Sequence, residues 1–306
     1  MKNNLLSKID NNFKTKITLN KDLSKLSWFN VGGEASIFFR PDNLDDLINF
    51  RKEMTKLKIN LRTIGMGSNL LIRDGGYKGA IIKLGKNFTN FSLLRDNIII
   101  AGTAALDKNL SQFALDNSLA GFEFLSCIPG SVGGAIWMNS GCYGNDISQI
   151  LMSVQAVDSN GNLITIPSSK IKFHYRGSSL NTDLIFVSAT FKGIRKQKEQ
   201  IKKKIGEFIL TKKNSQPSRI KTCGSTFKNP VDQTEKKAWE LIKSSNCQDM
   251  FCGDASISKK HANFFVNNGK CNSDDLEKLI LNVKNQVLVK TGVKLDLELQ
   301  IIGEKK

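Results

Sequence analysis

Seventeen residues, IPGSVGGAIWMNSGCYG at positions 128–144, hold five glycines and no charged side chain. Glycine loses more backbone freedom on ordering than any other residue and weakens helix and strand alike. A run this rich in it marks a chain path that other residues cannot follow, either through positive φ or through close approach of bare backbone to another group. Pro129 fixes φ near the start of the run, and Ile136, Trp137 and Met138 can anchor it from beneath. The chain around it carries a formal charge of +17, so the absence of lysine and arginine is local to this stretch. Such a backbone can wrap a diphosphate with amide donors. Read alone, it also fits a glycine-rich structural crossing.

A second loop, IGMGSNLLIRDGG at residues 64–76, follows a strand-like segment. Gly65-x-Gly67 invites a dinucleotide fingerprint, but Leu70 stands where the third glycine belongs, so a Rossmann turn fits poorly. The first loop lacks the Lys-Ser/Thr ending of a nucleoside-triphosphate P-loop. Gly65, Gly67, Ser68 and Asn69 can still present several N–H groups to one anion, and a tight β-turn explains them as well. Gly65 and Gly130 stand 65 positions apart, and two such loops in one chain point to a large diphosphate cofactor.

Hydrophobic periodicity gives an α+β chain. A helix is predicted from Leu44 to about Lys58, capped by Asn43, preceded by a turn and strand within 27–43 and followed by strands at 61–65 and 80–84. Strand 97–104, helix 106–121, a hairpin over 154–166 and a buried strand at 183–191 come next. Helix 197–213 is basic, with Ile201, Ile205, Phe208 and Ile209 on one face. The clearest helix is 272–292, capped by Ser273 and stopped at Gly292, with Leu276, Leu279, Ile280, Val283 and Val287 inward. VKLDLELQII (293–302) alternates as a strand, with Leu295, Leu297, Leu299 and Ile301 on one face and Asp296, Glu298 and Gln300 on the other.

No run of 18 apolar residues occurs, and the opening MKNNLLSKIDNNF has no signal-peptide core, so neither membrane span nor secretion is expected. The six cysteines form no CxxC pair and only His174 and His261 are histidines, which argues against a zinc site or a disulfide framework and for a reducing cytoplasm. Excess lysine suits anionic partners, but no finger spacing or RNP-like aromatic motif accompanies it, and nucleic acid is not expected as a partner.

Seven segments in order carry a resemblance: WFNVGGEA (28–35), IGMGSNLLIRDGG (64–76), GFEFLSCIPGSVGGAIWMNSGCYG (121–144), FHYRGSSL (173–180), GSTFKNP (224–230), ISKKHANFFVN (257–267) and LELQIIGE (297–304). The chain resembles the UDP-N-acetylenolpyruvoylglucosamine reductases, flavoenzymes that form UDP-N-acetylmuramate for peptidoglycan. The resemblance implies a two-part FAD-binding domain of the vanillyl-alcohol oxidase type plus a C-terminal α/β substrate-binding domain. The boundaries it suggests are 1–85 and 86–196 for the flavin halves and 197–306 for the substrate domain. It implies that FAD meets Gly65, Gly67, Ser68 and Asn69 on one side and Gly130, Ser131, Gly133 and Gly134 on the other. It implies NADPH as reductant, UDP-N-acetylglucosamine enolpyruvate as substrate, no metal, and a cytoplasmic monomer.

By the same resemblance Arg176 holds the substrate carboxylate, Ser225 gives the proton and Glu298 assists. Guanidinium geometry suits a carboxylate gaining charge. A carboxyl group at Glu298 can support Arg176 or, if protonated, stabilise the intermediate. Tyr175, Lys228 and Asn229 are the candidate substrate contacts. His261 is read as a packing residue and His174 as facing away. Patterning alone gives each of the catalytic three a plainer reading: a surface arginine, a turn serine and a solvated glutamate. The chain departs from the family pattern at Cys127, where glycine is usual, at Asn30, where a basic residue is frequent, and at Asp296-Leu297-Glu298 in place of Glu-Pro-Glu. It also lacks the tyrosine-bearing insertion of one subtype, which implies the shorter form. The alternative function on this fold is an FAD-dependent sugar or lactone oxidase.

Overall fold

A computed structural model describes Phe13 and residues 16–306. The expectation that no secretion signal opens the chain concerns MKNNLLSKIDNNF, which apart from Phe13 lies outside the described residues. The chain forms two compact units. The first takes residues up to Leu19, Ile37–Met66 and Gly79–Thr211; the second takes Asn20–Ser36, Gly67–Lys78 and Lys212–Lys306.

In the first unit the helix Leu44–Lys56 starts where Asn43 accepts a hydrogen bond from the Asp46 N–H (2.8 Å), with Asp45 and Asp46 in the first turn. It buries Leu47, Phe50 and Met54, and Phe50 stacks on Phe39 at 4.0 Å between centroids. Two strands that follow it, Leu61–Thr63 and Tyr77–Ile82, run parallel, Leu61 pairing with Ala80 and Thr63 with Ile82. A second core lies on a five-stranded antiparallel sheet ordered Leu163–Pro167, Leu151–Val157, Ile185–Lys192, Ile98–Gly102, Phe91–Leu94. Its hairpin turns where the Asp158 carboxylate accepts the Asn160 and Asn162 N–H groups, both at 2.8 Å, and where Gly161 has φ +77°. The helix expected over 106–121 is Asp107–Asp116; Ser118 turns left-handed (φ +57°), and Leu119–Ala120 pairs with Ile194–Arg195 instead. Of the predicted apolar face of Lys198–Ser215 only Ile201 is buried, and Ile209 is 49 % exposed.

Asp107 is fully buried at the start of its helix, and neither carboxylate oxygen has a hydrogen-bond partner among the described residues; nor has the Ser111 hydroxyl, one turn on. Burial holds the Asp107 carboxyl well above the usual carboxylate range. A raised folded-state pKa gives stability that is complete below the unfolded value near 3.8 and is lost as pH rises through the folded value. Asp107→Asn therefore unfolds like the parent near pH 4 and resists urea better as pH rises. At neutral pH the asparagine variant is the more stable of the two, by urea unfolding. A gap that is constant across pH would contradict the assignment.

The second unit is built round the helix Ser273–Thr291, whose Leu276, Leu279, Ile280, Val283 and Val287 are all buried as expected. Its cap is Asn272, not Ser273. Asn272 accepts from the Asp275 N–H (2.8 Å), while the Asp275 carboxylate accepts from the Asn272 N–H (3.2 Å). Ser273 is drawn inward, its hydroxyl donating to Asp74 at 2.9 Å. Gly292 ends the helix at φ +72°. Beyond it the alternation of 293–302 is kept in burial, with Leu295 and Leu299 inside, yet only Gln300–Ile302 is a strand, parallel to Leu70–Ile72. Residues before it are tied instead to a neighbouring loop, through Leu297 opposite Phe227.

Candidate active site

The first unit forms a cradle from two loops. Residues 130–133 are laid along the chain at 103–107 by three backbone bonds: Asp107 N–H to Gly130 O (3.2 Å), Val132 N–H to Ala105 O (2.9 Å) and Gly133 N–H to Thr103 O (2.8 Å). A Cβ on Gly133 would stand 3.2 Å from the Thr103 Cβ, so this glycine serves close packing and its amide is committed. Gly65 sits at the end of strand Leu61–Thr63, and a Cβ there would come within 2.6 Å of the Ser131 hydroxyl. The structure thus brings Gly65 and Ser131, distant in sequence, to opposite sides of one narrow space. Among the described residues the N–H groups of Gly65, Met66, Ser131 and Gly134 find no hydrogen-bond acceptor. Unpaired backbone donors beside two glycines that leave room are what a diphosphate requires. Lys83, which sequence reading passed over, donates to Gly65 O at 2.9 Å; burial first, and then the charge of Arg40, lower its pKa. Its signal was a lone cation closing the apolar strand AIIKL.

Arg176 lies at the tip of a small hairpin, Phe173–His174 paired with Gly177–Ser178. Its backbone is left-handed (φ +55°), its guanidinium rests 5.0 Å from the centre of the Tyr175 ring, and Nη2 donates to Gly141 O at 2.7 Å. One edge of the fork is therefore anchored. Tyr175 and His174 are exposed.

The second unit knits its candidates together through backbone. Gly67 has φ +70°, and a Cβ there would overlap the Leu26 carbonyl oxygen. Asn69 donates through Nδ2 to Glu298 O (3.0 Å) and accepts from Gln300 N–H (3.1 Å). The Thr226 carbonyl accepts from the N–H groups of Glu298 (3.0 Å) and Leu299 (3.3 Å), which puts Ser225 one residue from the Glu298 backbone. Asn263 clamps the same loop: its carbonyl accepts Thr226 N–H (2.8 Å) and its side chain exchanges bonds with Phe227 N–H (2.9 Å) and O (2.8 Å). Asn263 is a positioning residue that sequence reading missed, though it stands in ISKKHANFFVN. Lys228 is fastened through backbone, its N–H on Asp296 O (2.8 Å), and its ammonium has no partner among the described residues. Asn229 gives its side-chain oxygen to the Ala238 N–H (3.0 Å) at the start of helix Ala238–Ser244.

Two reactive residue types are set aside by their surroundings. Cys223 is buried against the Gly67 and Leu70 carbonyls, and burial pushes its thiol up to about 11. Burial lowers the His261 pKa, and its ring packs edge-on to Phe264 at 4.6 Å, as read from sequence. Among the described residues no cluster of three or more histidine, cysteine or acidic side chains can hold a metal, and no helix is long and apolar enough to cross a membrane.

Comparison with known proteins adds the following. A family model described as an FAD binding domain matches residues 35–167, and the model of the UDP-N-acetylenolpyruvoylglucosamine reductase C-terminal domain matches residues 216–302. A UDP-N-acetylenolpyruvoylglucosamine reductase from Pelagibacter ubique (strain HTCC1062) is 50 % identical, covering 97 % of this chain and 98 % of its own. One from Rickettsia typhi is 42 % identical over 92 % of this chain and 94 % of its own. The crystal structure of the Thermus caldophilus UDP-N-acetylenolpyruvylglucosamine reductase superimposes with TM-score 0.80 at 29 % identity, covering 94 % of this chain and 98 % of that one.

Proposed function

The chain belongs to the UDP-N-acetylenolpyruvoylglucosamine reductase family, and from that premise we propose that Arg176, Ser225 and Glu298 carry the substrate half of its reaction. It is an FAD-dependent oxidoreductase that reduces UDP-N-acetylglucosamine enolpyruvate with NADPH, a step of peptidoglycan precursor synthesis. The chemistry FAD supplies when bound is hydride transfer, from NADPH to the enolpyruvyl double bond. Gly65, Gly67, Ser68 and Asn69, with Gly130, Ser131, Gly133 and Gly134, hold the cofactor in this reading, and Lys83 supports the loop that carries Gly65.

Reduction of the double bond leaves negative charge on the carboxylate side of the substrate, and that charge must be held until a proton arrives. Arg176 has one edge of its fork on Gly141 O, which restricts how the guanidinium can turn toward the carboxylate. Ser225 delivers the proton from its hydroxyl, and Glu298 supports the charged pair. Tyr175, Lys228 and Asn229 receive the sugar nucleotide, with Asn229 limited to its amide N–H₂ because its oxygen caps a helix. The observation that carries this reading is the Thr226 carbonyl shared by Glu298 and Leu299, which sets an acid and a hydroxyl-bearing residue on adjoining strands of chain. The reading keeps flavin halves of about 1–85 and 86–196, followed by the substrate domain 197–306, although the core around Phe39 and Phe50 also takes in Val157 and Ile185. The reading includes a cytoplasmic monomer, supplied with NADPH and nucleotide sugar.

Stopped-flow separation of the two half-reactions tests the assignment: NADPH bleaches the flavin absorbance and the enolpyruvyl substrate restores it. Failure of that substrate to restore it, with rapid reoxidation by oxygen, would overturn the reading. For the cofactor loops, Gly134→Val is the cleaner variant. A Cβ there has 3.6 Å to the Ser131 hydroxyl, so the fold accepts it while the branched side chain enters the cradle. FAD affinity is expected to fall at least tenfold, about 1.4 kcal/mol, by flavin titration with unchanged circular dichroism. Full retention of FAD would contradict the loop assignment.

A further inference from the structure

Residues 137–141 connect the short helix Val132–Trp137, which begins at the cofactor loop, to the hairpin strand Gly141–Cys142. Three groups along this stretch hold the hairpin that bears Arg176. Trp137 O accepts from the Ser178 hydroxyl (3.1 Å), Gly141 O accepts from Arg176 Nη2 (2.7 Å), and Asn139 Nδ2 donates to His174 O (3.3 Å). The first two acceptors are carbonyls that any sequence supplies. Asn139 is the side chain that the sequence had to choose. It is 4 % exposed and sits at φ +42°, a left-handed backbone that asparagine tolerates better than most residues. Its other end is committed too, because Oδ1 accepts from the Ser148 N–H at 3.0 Å. Ser148 in turn donates through its hydroxyl to Asp146 at 2.5 Å. An amide with both ends engaged and no room to rotate sets the position of what it touches.

We propose that Asn139 is a positioning residue for Arg176, clamping the His174 carbonyl two residues upstream so that the guanidinium is delivered at a fixed place and angle. The proposal rests on the substrate-half role of Arg176 argued above. It also ties the arginine to the cofactor loop, since one continuous segment carries both.

The test is Asn139→Asp, with Asn139→Gly as a second variant. Aspartate tolerates the same backbone and keeps the acceptor for Ser148, but as a carboxylate it has no proton for His174 O. When protonated it regains one, and burial raises the pKa at which this happens. Titratable or charged groups on the surrounding elements are His174 and Arg176 on the hairpin, Asp146 in the adjoining turn, and Cys142 and Tyr143 on the same segment. Recovery on acidification must therefore appear in Asn139→Asp and be absent from the parent and from Asn139→Gly. Both variants are expected to bind FAD and to be reduced by NADPH within about twofold of the parent rate. Substrate reduction is expected to be about 10- to 100-fold slower at alkaline pH. In Asn139→Asp it recovers as pH falls from about 8.5 to about 6, and in Asn139→Gly it stays slow.

Parent-like substrate reduction in both variants overturns the proposal, as does a loss in Asn139→Asp that is flat with pH. Loss of FAD from both variants overturns it as well, because Asn139 would then support the whole unit. If Arg176→Ala itself reduces substrate at the parent rate, the arginine reading fails first and this inference with it. If Arg176→Ala is slow and the Asn139 variants are not, only this inference falls.

Discussion

Arg176→Ala remains yellow, is bleached by NADPH at the parent rate, and reduces the enolpyruvyl sugar nucleotide about 10³-fold more slowly. The loss arises from differential stabilisation. The carboxylate is charged before and after the reaction, but its side of the molecule gains electron density as hydride arrives, so a rigid donor there acts more on the transition state than on bound substrate. Anchoring of one guanidinium edge on Gly141 O removes rotational freedom that a lysine would keep. Arg176→Lys is therefore expected to recover little of the rate although charge is restored. The backbone needs its own control, because φ is +55°, where arginine and alanine alike are strained by about 1 kcal/mol through their Cβ. Arg176→Gly removes the guanidinium without that strain. Equal loss in the glycine and alanine variants assigns the effect to the guanidinium, whereas a much faster glycine variant assigns it to hairpin distortion. Stopped-flow flavin absorbance, with each half-reaction followed alone, reads both.

How much of this was legible in sequence follows from how local each signal is. Caps and stripes are short-range, so Asn43, Gly292 and the five buried residues of Ser273–Thr291 were readable. The cap shifted from Ser273 to Asn272 because Asp74, far away in sequence, attracts the serine hydroxyl, and no periodicity reports that. The alternation of 293–302 reported burial correctly and pairing incorrectly. Leu295 and Leu299 are inside, but residues before Gln300 bond to Thr226 and Asp296 to Lys228, so the segment is a braid with a loop before it becomes a strand. The glycine loops were visible as glycines, but their facing arrangement was not. That Gly65 lies against Ser131 depends on a parallel pairing and a crossing chain, which are long-range facts. Arg176, Ser225 and Glu298 had no signal of their own in composition or spacing and were found only through the seven-segment resemblance. Residues that position rather than react, such as Asn139 and Asn263, were missed because a buried asparagine with all its bonds used looks in sequence like any loop asparagine.

Ser225→Ala is expected to leave FAD binding and the NADPH half-reaction unchanged and to slow substrate reduction about 10²- to 10⁴-fold, the range for loss of a positioned general acid. The substitution is well isolated. Thr226, next in sequence, is buried and fixed by Asn263 O on one side and by the Glu298 and Leu299 N–H groups on the other, so loss of one hydroxyl does not move the loop. Gly224 before it has φ +78° and open space where a Cβ would stand, which lets the serine be presented without a neighbour blocking it. A serine hydroxyl is a weak acid, and it works here only if the carbon it serves is a strong base at the moment of transfer. That condition sets a discriminating measurement. In the parent, substrate reduction in heavy water should be slowed, because a proton from an exchangeable hydroxyl moves in or near the limiting step. In Ser225→Ala the residual reaction must take its proton from solvent, and its rate should depend on buffer concentration. Ser225→Cys, which still offers an exchangeable proton at the same place, should fall between the two. A serine role limited to holding the loop would give an alanine variant with slower reduction, an unchanged isotope effect and no buffer dependence. Parent-rate turnover by Ser225→Ala would remove Ser225 from the reaction and leave Glu298, on the adjoining stretch of chain, as the next donor to test.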